Sequence, residues 1–298
     1  MAHAHTHGGE GHERRLLLAS LLIGGFMFAE VVGGIVSGSL ALLADAGHMV
    51  TDFLSLGLAF LATRMAKRPA DGKRSYGFGR LQVLAAFVNG LALVPIAIWI
   101  VVEAWHRISD PVPVAGGMLL AIAILGLGVN IAAFALLHGH GEDNVNIRAA
   151  AAHVMGDLLG SLAAITAGAV IILTGWTPID PLLSVLVAAI ILRSGYVVMR
   201  DAGRVLIEAA PPQIDTSEIG PALVEAIADV KGVHHVHVWM LTDSKPMATL
   251  HAELVPDTAV SRAVVAIKSL LHERFGIEHA TVEVEFGACA DKHVEAHA

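Results

Sequence analysis

Six long apolar stretches follow one another between residues 16 and 206. Each is close to the ~20 residues that a helix needs to cross a bilayer. Their predicted bounds are Leu16–Val36, Leu40–Ala66, Leu81–Trp105, Met118–Leu137, Ile147–Thr174 and Pro181–Leu206. Arg193 and Arg200 interrupt the sixth stretch, but long arginine side chains can reach the membrane surface or face neighbouring helices. The pattern therefore predicts six transmembrane helices.

After Pro211 and Pro212 the apolar stretches give way to short amphipathic and alternating segments. Helical periodicity and strand-like alternation divide these segments into two classes. In order they are a helix at Ser217–Asp229, strands at Val233–Leu241 and Ala248–Val255, a helix at Val260–Phe275 and a strand at Ala280–Phe286. The order α-β-β-α-β predicts a small α+β domain of the ferredoxin-like type.

Basic residues are concentrated in alternate connections between the apolar stretches. Arg14 and Arg15 precede the first stretch, and Arg200 and Arg204 lie near the end of the sixth. The connection after the second stretch contains Arg64, Lys67, Arg68, Lys73, Arg74 and Arg80. Because cytoplasmic loops carry the excess of Lys and Arg, both chain termini are predicted to be cytoplasmic.

The overall composition supports a membrane protein and narrows the function. Hydrophobic residues make up 55% of the chain, charged residues 15%, and the mean hydropathy is +0.67. This is too apolar for an ordinary soluble domain. The formal charge of −8 argues against a nucleic-acid partner. The single cysteine, Cys289, excludes an intramolecular disulfide and a multi-cysteine zinc finger.

The second and fifth apolar stretches each contain a His-x-x-x-Asp motif, His48 to Asp52 and His153 to Asp157. Residues four apart share a helix face, about 6 Å apart along the axis. Ionisable side chains cost roughly 2.5–3.5 kcal/mol each at the bilayer centre, so their presence indicates function. Two imidazoles and two carboxylates can form a tetrahedral Zn²⁺ site. The alternative is a buried polar network that joins helices.

The predicted topology brings the two motifs to one depth. Measured from Leu40, His48 and Asp52 lie about 12 and 18 Å deep at 1.5 Å per residue. Measured from the opposite face, His153 and Asp157 lie about 9 and 15 Å deep. All four residues therefore fall near the middle of a hydrocarbon core ~30 Å thick. Asp45 lies on the same helix face as His48, where it could orient an imidazole or help protons to enter.

Several segments together resemble the cation diffusion facilitator family. They are Ser39–His48 with Asp52, Tyr76–Arg80, His153–Asp157 and His234–Trp239. The resemblance covers nearly the whole chain and is closest to bacterial zinc transporters that begin with a His-rich tail. It implies a multi-pass homodimer of the inner membrane that exports Zn²⁺ from the cytoplasm in exchange for protons. The transport ligands would be His48, Asp52, His153 and Asp157. A His at the first position is associated in the family with zinc rather than cadmium.

The resemblance also implies sites in the cytoplasmic domain. His234, His251, His279 and Glu285 would bind regulatory Zn²⁺ that tightens the dimer; the alternative is ordinary surface histidines. Strand alternation places His235 and His237 on one face and His234 on the other. Arg80 and Glu208 match positions that form an inter-domain charge interlock in relatives. The alternative is that the basic loop that contains Arg80 contacts anionic lipid. The predicted domains are thus a His-rich disordered tail (1–13), the membrane domain (14–209), the cytoplasmic metal-binding domain (210–288) and a C-terminal tail (289–298).

The ligand chemistry predicts how transport would be coupled. A metal ion needs neutral His and ionised Asp, so metal binding expels protons and protonation expels the metal. We expect transport by alternating access. The six predicted spans would lie in the lipid bilayer. The motifs H-E-x-x-H, G-x-S-x-G and G-x-x-x-x-G-K-[ST] do not occur, which disfavours a metalloenzyme or an ATP-driven pump. A zinc-sensing receptor would not explain ligands at mid-membrane. Whether Cd²⁺ or other divalent cations also pass stays open, because imidazole and carboxylate suit several metals.

Overall fold

The structure is a computed structural model that describes residues 9–137, 145–242, 244–289 and 291. Within the helices, the side chains of residues 9–20, 52, 55–56, 59–60, 134, 136–137 and 145–156 lie outside the description. The chain forms two compact units, one of residues 1–58 and 88–197, the other of residues 59–87 and 198–298.

The first six elements are long helices. They are α1 (Gly9–Ser37), α2 (Leu40–Ala66), α3 (Arg80–Ser109), α4 (Gly116–Leu137), α5 (Val145–Thr174) and α6 (Ile179–Leu206). Within the described residues, four segments are long and apolar enough to span a membrane, and they lie in α3, α4, α5 and α6. Two shorter apolar segments, Leu21–Ser37 and Leu40–Thr51, lie in α1 and α2. The predicted helical membrane domain is confirmed.

Several helix boundaries differ from the sequence prediction, two of them by four residues or more. The first helix begins at Gly9 and so includes residues 9–13, which the sequence assigns to a disordered tail. Extending an existing helix adds one hydrogen bond for each residue fixed, which favours such growth. The third helix continues past Trp105 to Ser109, and it contains a salt bridge from Arg107 Nε to Glu103 Oε1 (2.8 Å).

The start of α2 is fixed by a side chain from α6. Asp180 is fully buried and accepts hydrogen bonds from Ser39 Oγ (2.5 Å), Leu40 N (2.6 Å) and Ala41 N (3.3 Å). The first N–H groups of a helix have no partner within the helix, so a carboxylate there satisfies them and also interacts favourably with the helix dipole. Asp180 therefore sets where α2 begins and joins it to α6.

The second unit contains the soluble domain. Its elements are α7 (Thr216–Ala226), β1 (Val230–Thr242), β2 (Lys245–Leu254), α8 (Val260–Phe275) and β3 (His279–Glu285). The sheet order is β1-β2-β3, with β1 and β2 antiparallel and β2 and β3 parallel. The predicted α-β-β-α-β order is confirmed.

Helix α8 packs its apolar stripe onto this sheet. Ala263, Ile267 and Leu271 recur every four residues and are buried with Leu250 and Leu254 of β2. Gly276 ends α8 in the left-handed conformation (φ 67°), which glycine adopts without a steric penalty. This core supports β2 from one face and so fixes the position of the strand that carries His251.

Strand β1 is irregular where its histidines lie. Its pairing with β2 shifts register between His234 and His237, which marks a β-bulge. At the bulge, His235 has a positive φ of 49°. A bulge inserts an extra residue and turns neighbouring side chains away from strict alternation. The predicted placement of His234 and His235 on opposite faces is therefore wrong, because alternation assumes an unbroken ladder.

Candidate metal sites

The first candidate site lies where α2 approaches α5. Ala41 and Leu42 of α2 share a buried cluster with Ala164, Ala167 and Ile171 of α5, which also includes Leu119 and Ala123 of α4. One turn further along α2, Asp45 contacts Gly160, where an added Cβ would lie 2.7 Å from Asp45 Oδ1. The contacts thus move forward along α2 and backward along α5, so the helices run antiparallel.

Polar side chains surround this contact inside an otherwise apolar unit. Glu30 of α1, Asp45 and Asp157 are buried, with 1%, 4% and 2% of their surfaces exposed. Glu30 and Asp45 share a side-chain hydrogen bond. Asn130 Nδ2 of α4 donates to Ser161 Oγ of α5 (3.3 Å), and both residues are buried. These hydrogen bonds join α1 to α2 and α4 to α5.

The structure describes two of the four predicted transport ligands. His48 is half-buried and Asp157 is buried. The side chains of Asp52 and His153 lie outside the described residues, although both residues belong to helices. The four-ligand set therefore stays a prediction.

The second candidate site is a cluster of imidazoles in the soluble domain. The rings of His234, His235 and His251 lie 4.8 to 5.4 Å apart, centre to centre. One ligand atom from each of these rings and Sγ of Cys289 lie within 4.8 Å of one another. His251, Glu283 and Glu285 form an overlapping group with the same spacing. Three strands and the segment after β3 thus converge on one point.

Charged and polar neighbours define the electrostatics of the cluster. Glu285 is buried, with Oε1 3.0 Å from His251 Nδ1 and Oε2 3.1 Å from His234 Nε2. Burial would raise the pKa of Glu285, but hydrogen bonds with Cys289 and His251 and the charges of His234 and His251 lower it below its usual value. The pKa of the Cys289 thiol is raised, first by its hydrogen bond with Glu285 and then by burial. A cation at this point would face a carboxylate that is already ionised.

The structure brings three of the four predicted cytoplasmic ligands together and leaves the fourth apart. His234, His251 and Glu285 meet in the cluster. His279 is exposed and pairs with Met247, four strand positions, or about 13 Å, from His251. Sequence reasoning did not select His235, because the ligand set came from the family resemblance, which did not include it. Nothing in the sequence around His234 and His235 predicts the β-bulge.

Arg80 and Glu208 form an ion pair. Arg80 Nη2 lies 2.8 Å from Glu208 Oε1, and both side chains are partly exposed. Glu208 itself has a positive φ of 61°, an uncommon conformation for a non-glycine residue. The pair is present as the resemblance suggests, while its role as an interlock stays a prediction.

Two family profiles match consecutive parts of the chain. Residues 16–207 match the cation efflux transmembrane domain. Residues 211–286 match the cytoplasmic domain of cation efflux proteins, a profile named for its dimer, which supports the expected homodimer. Together the two matches cover both predicted domains.

Several characterised proteins are similar over nearly their whole length. The zinc transporter ZitB of Escherichia coli is 48% identical over 97% of this chain and 94% of its own. A cadmium, cobalt and zinc/H(+)-K(+) antiporter of Bacillus velezensis is 39% identical over 97% of this chain and 93% of its own. A solved structure of the metal-bound C-terminal domain of the CzcD transporter, 27% identical, covers 24% of this chain and 100% of its own, with a TM-score of 0.23.

Proposed function

Because the chain belongs to the cation efflux, or cation diffusion facilitator, family of membrane transporters, we propose that it is a zinc/proton antiporter that exports Zn²⁺ from the cytoplasm. Zinc is the substrate in the name of the similar ZitB protein, and protons appear in the name of the Bacillus antiporter. The chain acts as a transporter of the inner membrane and not as an enzyme.

The observation that carries the proposal is the antiparallel contact of Asp45 with Gly160. One turn beyond Asp45 along α2 is His48, and one turn back from Gly160 along α5 is Asp157. A further turn in the same directions reaches Asp52 and His153. The register of the two helices therefore supports one level for His48 and Asp157 and a second level, one turn away, for Asp52 and His153.

The chemistry of these ligands suits exchange of Zn²⁺ for protons. Imidazole titrates near pH 6.5 when unperturbed, so modest acidity on one side of the membrane competes with the metal. Zn²⁺ would bind from the cytoplasm, the helix bundle would rearrange, and protons from outside would displace the ion. Both termini would be cytoplasmic, which the distribution of Lys and Arg supports. Since nitrogen and oxygen ligands suit several ions, we expect Cd²⁺ and Co²⁺ to compete.

We propose that the cytoplasmic histidine cluster is a regulatory zinc site built on His234, His251 and Glu285. The pairing of two imidazoles with one buried carboxylate supports this role, because these groups are common Zn²⁺ ligands. The domain forms the homodimer, and metal bound across its sheet would stiffen the strands that carry the ligands. His279 is too far along β3 to join this group without a change in the strand.

The test is Zn²⁺ uptake into proteoliposomes under an imposed pH gradient. Wild type should accumulate Zn²⁺ only with the gradient, and Asp157→Ala should not accumulate it. The matched control is Asp201→Ala, which removes an exposed carboxylate from α6 and should transport normally. Equal flux in wild type and Asp157→Ala would refute the membrane site, and flux that ignores the gradient would refute proton coupling.

A further inference from the structure

We infer that the cytoplasmic cluster is a thiolate centre, in which Cys289 supplies a sulfur ligand beside His235 and His251 to a borderline or soft divalent ion. The inference rests on the proposed regulatory site and changes its chemistry. Neither Cys289 nor His235 belongs to the ligand set that the sequence predicts. A sulfur ligand would shift the preference of the site from oxygen-seeking ions toward Zn²⁺ and Cd²⁺.

The distances fit a metal centre. Cys289 Sγ lies 3.8 Å from His235 Nδ1 and 3.7 Å from His251 Nδ1. In a tetrahedral zinc site with Zn–S near 2.3 Å and Zn–N near 2.0–2.1 Å, sulfur and nitrogen are about 3.6 Å apart. The observed separations therefore need little adjustment to hold one ion.

A thiol hydrogen bond does not account for the same arrangement. Sγ has His235, His251 and Glu285 as neighbours. One S–H group donates to one acceptor at a time, and sulfur accepts hydrogen bonds only weakly, so hydrogen bonds alone would hold these three neighbours poorly. A metal ion, by contrast, binds all of these neighbours together once it has replaced the thiol proton, which leaves to solvent.

A second observation points independently to a cation. Glu285 is only 6% exposed, and its Oε2 atom accepts no hydrogen bond from the described residues. His234 Nε2, 3.1 Å away, is likewise buried without a well-directed hydrogen bond among them. The two atoms form a close charge pair without a well-directed hydrogen bond, and buried polar atoms are nearly always satisfied, so a further partner at this point is indicated. A bound cation would satisfy both.

The backbone is bent at both new ligands. His235 has a φ of 49°, which is strained for a residue with a side chain, and this conformation turns its ring toward His251. Gly287 has a φ of 109°, which essentially only glycine adopts, and it lies in the bend between Glu285 and Cys289. The chain thus departs from regular strand geometry on each side of the cluster.

The other nitrogen of His251 has partners suited to orient the ring. His251 Nε2 lies 3.5 Å from Glu283 Oε2 and 3.6 Å from Asp291 Oδ2. Metal-bound imidazoles usually direct their second N–H toward a carboxylate, which fixes the tautomer. His251 Nδ1 lies 3.0 Å from Glu285 Oε1 and 3.7 Å from Cys289 Sγ, so a metal ion bound at Nδ1 would take the place of any proton held there.

The test uses Co²⁺ titration of the reduced, metal-free, full-length protein in detergent. Thiolate coordination gives a sulfur-to-cobalt charge-transfer band in the near ultraviolet, which nitrogen and oxygen ligands do not give. Cys289 is the only cysteine in the chain, so the band has one possible source. Wild type should show the band, and Cys289→Ser should lose it. His235→Ala should weaken Co²⁺ binding by at least about tenfold, the smallest loss typical of altered metal surroundings.

The matched control is His237→Ala, which removes a histidine from the same strand outside the cluster and should leave the band unchanged. A wild-type protein that binds Co²⁺ without the charge-transfer band would overturn the thiolate inference while leaving a histidine-only regulatory site intact. Equal affinity of His235→Ala and His237→Ala would also overturn it. Asp157→Ala separates the two proposals, because it should lose Zn²⁺ flux and keep the band.

Discussion

The contact between Asp45 and Gly160 predicts that α2 and α5 tolerate no added volume beside the proposed transport site. A Cβ at position 160 would lie 2.7 Å from Asp45 Oδ1 and 3.1 Å from Asp45 Cγ, whereas ordinary van der Waals contact begins near 3.4 Å. Asp45 is buried and hydrogen-bonded to Glu30, so its carboxylate cannot simply swing into solvent. Gly160→Ala must therefore displace a carboxylate or separate the helices.

The expected cost follows from overpacking. Extra volume in a packed interior costs about 1–3 kcal/mol. If that cost falls on the arrangement that binds Zn²⁺, flux falls by about 5- to 150-fold. We would measure Zn²⁺ uptake into proteoliposomes under a fixed pH gradient, together with the melting midpoint of each protein in detergent.

Gly128→Ala is the matched control for this substitution. It also adds one methyl group to a membrane helix, but a Cβ at position 128 has no neighbour within 4 Å. Helices favour Ala over Gly by about 1 kcal/mol, so this variant should be at least as stable as wild type and equally active. If Gly160→Ala transported Zn²⁺ as fast as Gly128→Ala, the contact between Asp45 and Gly160 would not be needed to position the proposed ligands, contrary to our prediction.

Three further predictions concern other parts of the fold. Asp180→Ala removes the acceptor that caps α2 and should lower the melting midpoint by an amount equivalent to about 0.5–2 kcal/mol, whereas Asp201→Ala should not. A double-mutant cycle on Arg80 and Glu208 should give a coupling of only about 0.2–1 kcal/mol, because the pair is partly exposed; a much larger value would contradict this and indicate that the pair belongs to a buried network. Hydrogen bonds from the hydroxyl and backbone N–H of residue 217 lower the pKa of Asp215, so its ionised form stabilises α7 above the usual carboxyl pKa, and this stabilisation is lost as the pH falls through the lowered value. The difference in melting midpoint between wild type and Asp215→Ala should therefore vanish in acid, and a difference that is constant with pH would contradict this assignment.

The sequence predicts the helices well because their signals are local. The predicted bounds of the second helix, Leu40–Ala66, and of the helix Val260–Phe275 are those observed. Both segments combine sustained periodicity or apolar length with clear ends, such as Gly276 after α8. The α-β-β-α-β order is likewise set by periodicity that needs no knowledge of tertiary contacts.

The sequence does not predict contacts that depend on residues far apart. Asp180 caps a helix that begins 140 positions earlier, and no local pattern marks it as a cap. The bulge at His235 depends on how β1 pairs with β2, so alternation gave the wrong face for one histidine. Cys289 looks like an isolated thiol in the sequence, and only the bend at Gly287 brings it to the strands.

The two proposed metal sites differ in ligand class, and this difference predicts different orders of metal preference. The membrane site combines nitrogen and oxygen ligands, whereas the cytoplasmic centre adds a sulfur ligand. Softer ions gain more from thiolate than from carboxylate, so Cd²⁺ should compete with Zn²⁺ more strongly at the cytoplasmic centre than in transport. We would compare the Cd²⁺ concentration that displaces Co²⁺ from the charge-transfer band with the concentration that inhibits Zn²⁺ flux. In Cys289→Ser the cytoplasmic preference for Cd²⁺ should disappear while inhibition of flux is unchanged. An identical Cd²⁺ preference at both sites in wild type would mean that sulfur does not take part, and the cluster would then have the same nitrogen and oxygen chemistry as the membrane site.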